Sequence, residues 1–168
     1  GGLAGSASHS TNTELTPPPP NPSPSGGGSL PLQTIPFAVV AMGKLGGREM
    51  TFGSDLDIIF LYDDAGEAAS ENRTHLTRIS QRLVSALTLL TREGRLYEVD
   101  TRLRPGGSDG PLAVSLAAFD AYFTNSAWTY EFMALTRART VAANDAPFAA
   151  RVDDVVKKHV LKPRDNAV

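Results

Sequence analysis

Cysteine is absent from the 168 residues, which excludes a disulfide framework, a thiolate metal site and a cysteine nucleophile together. A basic surplus is absent too: 16 Lys and Arg against 18 Asp and Glu leave a net charge of -2. No global field therefore holds a polyanion against salt, and nucleic acid is disfavoured as a partner, although a local basic patch can still hold a nucleotide. No apolar run approaches the roughly 18 residues of a spanning helix, and no basic start leads into an apolar stretch. A cytoplasmic protein with no membrane partner is the expectation. Histidine is scarce: His9, His75 and His159 have no metal-ligand spacing, and no Ser, His and acidic residue form a recognisable nucleophile set. The chain starts with Gly rather than Met, and it reads as part of something longer.

What is present divides by composition. At about 150 residues per domain the length suits one folded unit plus a tail. Residues 1–36, with Pro17 to Pro20 and Gly26 to Gly28, bring too little apolar surface to offset the entropy of ordering, and they read as a disordered linker with polyproline II character. Phe37 to Met42 is a short apolar run closed by Gly43, and Leu56 to Tyr62 is β-branched and aromatic; both suit buried strands. Between Asn72 and Thr91, Leu76, Ile79, Leu83, Leu87 and Leu90 recur at three and four, predicting a helix whose stripe packs on a sheet. Arg95 to Leu103 reads as a third strand before Pro105-Gly106-Gly107 turns the chain. Ser115 is placed to cap a helix through Phe123 with Leu116, Phe119 and Phe123 inward. Further helices are expected from about Trp128 to Arg139 and from near Pro147. The sum is an α/β or α+β domain on a mixed sheet flanked by helices, with the core at 37–145 and the start of a following helical segment at 146–168.

The chemistry concentrates in Gly53-Ser54-Asp55-Leu56-Asp57. Side chains two apart on a strand share a face, so Asp55 and Asp57 point the same way. Two adjacent carboxylates repel unless a cation sits between them, and a hard divalent ion with oxygen ligands, Mg²⁺, meets that need. Gly53 lets backbone approach a phosphate, and the Ser54 hydroxyl can donate to its oxygens. A two-ion site wants a third carboxylate. Within Tyr97 to Arg104, a strand would put Glu98, Asp100 and Arg102 on one face, and spacing alone does not choose between Asp100 and Glu98. Arg102 is suited to phosphate oxygens or to pairing with a structural carboxylate. Gly43-Lys44-Leu45-Gly46-Gly47 fails as a Walker motif, with Ala38 where the first Gly belongs and Leu45 where Ser or Thr belongs. Lys44 is then a cation near phosphate or an exposed one.

An Asp-x-Asp after Gly-Ser, opening an apolar strand with a later strand Asp, resembles the polymerase-β-like nucleotidyltransferase superfamily. Val40 to Met50, Phe52 to Tyr62, Leu96 to Pro105, Gly110-Pro111-Leu112 and Ala134 to Arg139 are similar, in order, to the glutamine synthetase adenylyltransferase family, over about Phe37 to Ala143. That resemblance implies a polymerase-β-like core, metal ligation by Asp55, Asp57 and Asp100, two Mg²⁺ ions, ATP as substrate and glutamine synthetase as protein substrate. It also implies a PII signalling protein as partner of a full-length enzyme. Family members carry two related domains, one attaching AMP to a tyrosine and one removing it by phosphorolysis to give ADP. Gly53-Ser54, Tyr97 to Asp100 and Ala127 to Glu131 are more similar to the adenylylating one.

The expected reaction is in-line attack of a tyrosine oxygen on the α-phosphorus of ATP, with Gly53, Ser54, Lys44, Arg102 and Arg104 around the nucleotide. Arg102 and Arg104 would offset charge growing on the phosphates. The rival within the family is deadenylylation. A rival of another class is a non-catalytic module that binds nucleotide or PII.

Overall fold

The computed structural model describes residues 1, 35–64, 69–92, 94–95 and 97–161. The chain divides into two units, 1–30 and 31–168; of the first, only Gly1 is among the described residues, and every element below belongs to the second. The linker reading of residues 1–36 lies outside the described residues except at its end. There Ile35 is buried and its carbonyl accepts from the Asn144 amide at 2.8 Å, so packed structure extends at least two residues ahead of the expected boundary.

Both apolar runs are strands, β1 (Phe37–Ala41) and β2 (Leu56–Tyr62). They pair antiparallel from Phe37↔Tyr62 to Ala41↔Ile58. Helices cover both sides of this pair, which is why neither run alternates with polar residues. On one side Val40, Ile59 and Leu61 meet Phe119, Phe148 and Val152; on the other Val39, Ile58 and Phe60 meet Leu76. Burying each such side chain is worth about 1.5–3 kcal/mol.

Helix α2 (Ala69–Leu87) joins β2 to two short strands that both run parallel to it. Strand β3 (Val99–Asp100) pairs with the start of β2, Leu56↔Val99 and Asp57↔Asp100, and β4 (Ala113–Ser115) pairs with its end, Phe60↔Ala113 to Tyr62↔Ser115. The other edge of β1 pairs antiparallel with β5 (Arg139–Ala143), with an irregularity between Val39 and Val40. The result is a five-stranded mixed sheet.

Several expectations change. The third strand shrinks from nine residues to Val99–Asp100, and beyond it the chain turns at Arg102 and Leu103. Helix α2 ends at Leu87, leaving Leu87, Leu89 and Leu90 exposed, so only the earlier part of the stripe packs on the sheet. The helix expected through Arg139 stops at Leu135 as α4 (Thr129–Leu135), a turn follows at Thr136 and Arg137, and Arg139 already opens strand β5. By contrast α3 (Leu116–Asn125) is as expected: Ser115 Oγ accepts from Ala118 N at 3.2 Å, and Leu116, Phe119 and Phe123 are buried. Helix α5 (Ala146–Leu161) places Phe148, Val152 and Val156 in the core on the α3 side. No helix among the described residues is long and apolar enough to cross a membrane.

Candidate active site

The site grows from the entrance to β2. Asp57 is the second residue of that strand, and its carbonyl accepts from Met42 N at 2.8 Å, which fastens β2 to the start of helix α1 (Gly43–Gly46). Gly43 follows with φ +49°, and a Cβ there would lie 2.3 Å from Asp57 Oδ2. Its missing side chain is the space that the carboxylate fills.

Asp100 stands opposite Asp57 across the parallel β2–β3 pair. Register partners share a face, so the sheet directs Asp57 and Asp100 to one side, while Asp55 lies just ahead of β2 and acts on Asp57 through its charge. Electrostatics report the crowding: burial, then Asp100, then Asp55 push the Asp57 carboxyl above its usual range, while Arg102 and Lys44 pull it down. Lys44 is exposed on α1.

Arg102 clasps Asp100. Its backbone N–H donates to Oδ1 at 2.8 Å, Nε donates to both oxygens at 3.0 and 2.9 Å, and Nη2 donates to Oδ2. Those bonds hold Asp100 below the ordinary carboxylate range. Glu98, the other acidic candidate in that stretch, takes a different course. Its carbonyl accepts from Leu56 N at 2.8 Å, and its exposed carboxylate meets Arg95 Nη1 at 3.1 Å. Because the strand is so short, alternation does not carry Glu98 into the cluster.

Arg104 is buried and committed to the backbone. It donates to the carbonyls of Thr101 (2.7 Å), Ser108 (3.2 Å), Gly110 and Pro111 (3.1 Å each), and so ties the 101–111 loop together. The structure gives it this work where the sequence suggested a phosphate contact. Ser54 is also buried; Thr51 N donates to its Oγ at 3.0 Å. Gly53, at φ +77° with open space where a Cβ would be, lies beside it. Together with Phe52 and Asp55 they form one wall of a cleft of about 670 Å³, and Leu90, Arg95, Tyr97 and Glu98 form the other.

A metal fits this donor set. Asp57 and Asp100 share one face with Asp55 close enough to act on Asp57, burial and then this repulsion raise Asp57, and a guanidinium already stands in as the cation. Among the described residues no three acidic groups yet close around a common ion position, with the Asp100 oxygens engaged by Arg102.

Two supports escaped the sequence reading. Buried Glu131 of α4 accepts from Tyr122 Oη at 2.8 Å and from Trp128 N at 2.8 Å. This joins α3 to the start of α4. Arg139 donates to the Gly46 and Leu45 carbonyls at 3.3 Å, closing α1. Neither has a periodic signal; only the Trp128-to-Glu131 spacing, suited to a helix start, hinted at the first.

A mixed sheet with an aspartate pair entering its central buried strand, and a third aspartate beside it on a parallel neighbour, is the layout of a nucleotidyltransferase-like core. The chain belongs to the glutamate-ammonia ligase adenylyltransferase family, whose model matches residues 26–155. It is similar to the bifunctional glutamine synthetase adenylyltransferase/adenylyl-removing enzymes of Xanthobacter autotrophicus, 54% identical over 136 residues, and of Bradyrhizobium sp., 48% identical over 135. That of Brucella suis is 49% identical over 135 residues. Each alignment covers 76% of this chain and 14% of the relative, so the chain spans about a seventh of those relatives' length.

Proposed function

We propose that this chain carries a catalytic core that transfers AMP from ATP to a tyrosine of glutamine synthetase with Mg²⁺. The observation that carries the reading is the Asp57↔Asp100 register beside Asp55. Asp55, Asp57 and Asp100 would hold the metal, which when bound supplies positive charge to activate a phenol oxygen and to stabilise a leaving pyrophosphate. The chain's own residues orient the reactants. The open backbone at Gly53 admits phosphate close to the cleft wall beside Asp55, and Gly43 leaves room for the Asp57 carboxylate. In the transfer a bond forms between the tyrosine oxygen and the α-phosphorus as the bond to pyrophosphate breaks, and the phenol proton passes to solvent.

The domain bounds that fit this reading run from about Ile35 through α5, with the remainder of a longer polypeptide supplying regulation by PII. To test direction, the chain is incubated with Mg²⁺, labelled ATP and unmodified glutamine synthetase, and separately with phosphate and adenylylated glutamine synthetase. Label on glutamine synthetase in the first reaction is the expected result. ADP formed only in the second assigns the adenylyl-removing direction, and no product in either overturns the reading.

A further inference from the structure

An exposed arginine near a carboxylate commonly makes one loose ion pair of little worth. Arg102 instead engages both oxygens of Asp100 through its fork and adds its own backbone N–H. The side chains are 73% and 17% exposed, so the cation lies outside and the carboxylate inside. Asp55 and Asp57 also act on this guanidinium. Arg102 thus acts on all three carboxylates, and Lys44 adds charge beside Asp57.

We propose that Arg102 is the resident counter-cation of the acidic cluster and a positioning residue that makes divalent metal and nucleotide bind cooperatively. The proposal rests on the metal-site reading above. A divalent ion arriving alone must compete with Arg102 for both Asp100 oxygens. A nucleotide arriving alone meets three carboxylates. When both arrive, phosphate oxygens suit the planar fork as well as a carboxylate does, and Arg102 exchanges one partner for the other.

The surroundings permit this exchange. The pairing of β3 with β2 holds the Asp100 backbone, so release needs only side-chain rotation. Every bond of the clasp spans two residues, so no tertiary contact is lost. Arg104 cannot take the part, because backbone carbonyls hold its donors. Lys44 offers a point charge rather than a fork.

The test compares wild type with Arg102→Gln. Mn²⁺ alone is titrated, with free ion read by electron paramagnetic resonance, and the titration is repeated with a non-hydrolysable ATP analogue. Chelation of Mn²⁺ by the analogue is common to both proteins and cancels in the ratio. Arg102→Gln should bind Mn²⁺ alone more tightly, on the order of tenfold, yet bind the analogue more weakly at saturating Mn²⁺, within the 5–150-fold span of ordinary coupling. Opposite signs are what a merely structural arginine would not produce. Arg102→Lys, charged but forkless, should fall between, and it carries the comparison should the glutamine variant not fold. Equal Mn²⁺ affinities without nucleotide, in proteins that lose Mn²⁺ binding on Asp57→Asn, overturn the proposal alone. If wild type binds no Mn²⁺ with or without the analogue, the metal-site reading falls and the proposal with it.

Discussion

At the scale of single residues, Asp57 and Gly43 show how one carboxylate is made ready at some cost in stability. The Asp57 carboxyl is raised by burial and by its acidic neighbours, so the folded chain holds that proton more tightly than the unfolded one. The stabilising effect of the proton is complete below the ordinary aspartate pKa of about 3.9 and is lost as pH rises through the raised value. Asn is neutral throughout. Asp57→Asn should therefore melt above wild type near neutral pH without metal, and the gap should close on acidification, while AMP transfer disappears. A variant that melts lower at pH 7 would contradict the crowding argument. Gly43→Ala tests the space instead. The added Cβ meets the mobile end of Asp57 rather than backbone, so the fold should lose only the roughly 1–2 kcal/mol of a left-handed alanine. The displaced carboxylate should lower turnover about 10²-fold, the effect of a misplacement near 1 Å. Urea melts and initial rates on one preparation separate the two effects.

Among the elements, the long periodic ones were legible and the short ones were not. Phe37 to Met42 and Leu56 to Tyr62 announce buried strands because every residue must be apolar when both faces are covered. Ser115 announces α3 because capping is local. Arg139 to Ala143 announces nothing: an edge strand with Val141, Ala142 and Ala143 exposed carries no alternation, and Ala and Arg favour a helix by propensity. The apposition of Asp57 to Asp100 needs the parallel register of β2 with β3, which no spacing within one strand announces. The carboxylate pairing offered for Arg102 was legible, whereas the backbone bonds of Arg104 were not, because a turn at Arg102 and Leu103 ended the strand and set that side chain among loop carbonyls. The link between α3 and α4 makes its own prediction. Burial and the bond to Glu131 push the Tyr122 phenol up to about 12. A phenol in the unfolded chain titrates near 10, so the folded state's hold on this proton contributes in full below about pH 10 and is lost as pH rises toward 12. Tyr122→Phe should remove that alkaline loss. It should also cost about 1–3 kcal/mol at neutral pH by depriving buried Glu131 of a donor. Equal alkaline melting curves for the two proteins would show that the bond contributes nothing.

Across the whole molecule, the site depends on contacts far from it in sequence. The aspartates sit at one end of β2, and the rest of that strand is held between α2 on one face and α3 with α5 on the other. Composition gave no reason to join α5 to this core, since a helix starting near Pro147 after an Asn-Asp turn reads equally well as the next segment of a longer chain. Its packing decides the matter. Phe148 is 1% exposed and Val152 fully buried, both against the β1–β2 pair and α3, and Thr140 Oγ1 donates to Asp153 Oδ1 at 2.8 Å, bonding the helix to the edge strand. Phe148→Ala should therefore cost about 3–5 kcal/mol, a large part of the 5–15 kcal/mol that holds a domain of this size. Ending the chain at Asp145 should abolish cooperative unfolding outright, and Mn²⁺ binding with it, although no proposed ligand is removed. Chemical denaturation of the shortened chain, followed by fluorescence of Trp128, distinguishes the two views. A sharp transition near the wild-type midpoint would make α5 an appendage, and a broad or absent one would make it the wall on which strand β2 rests.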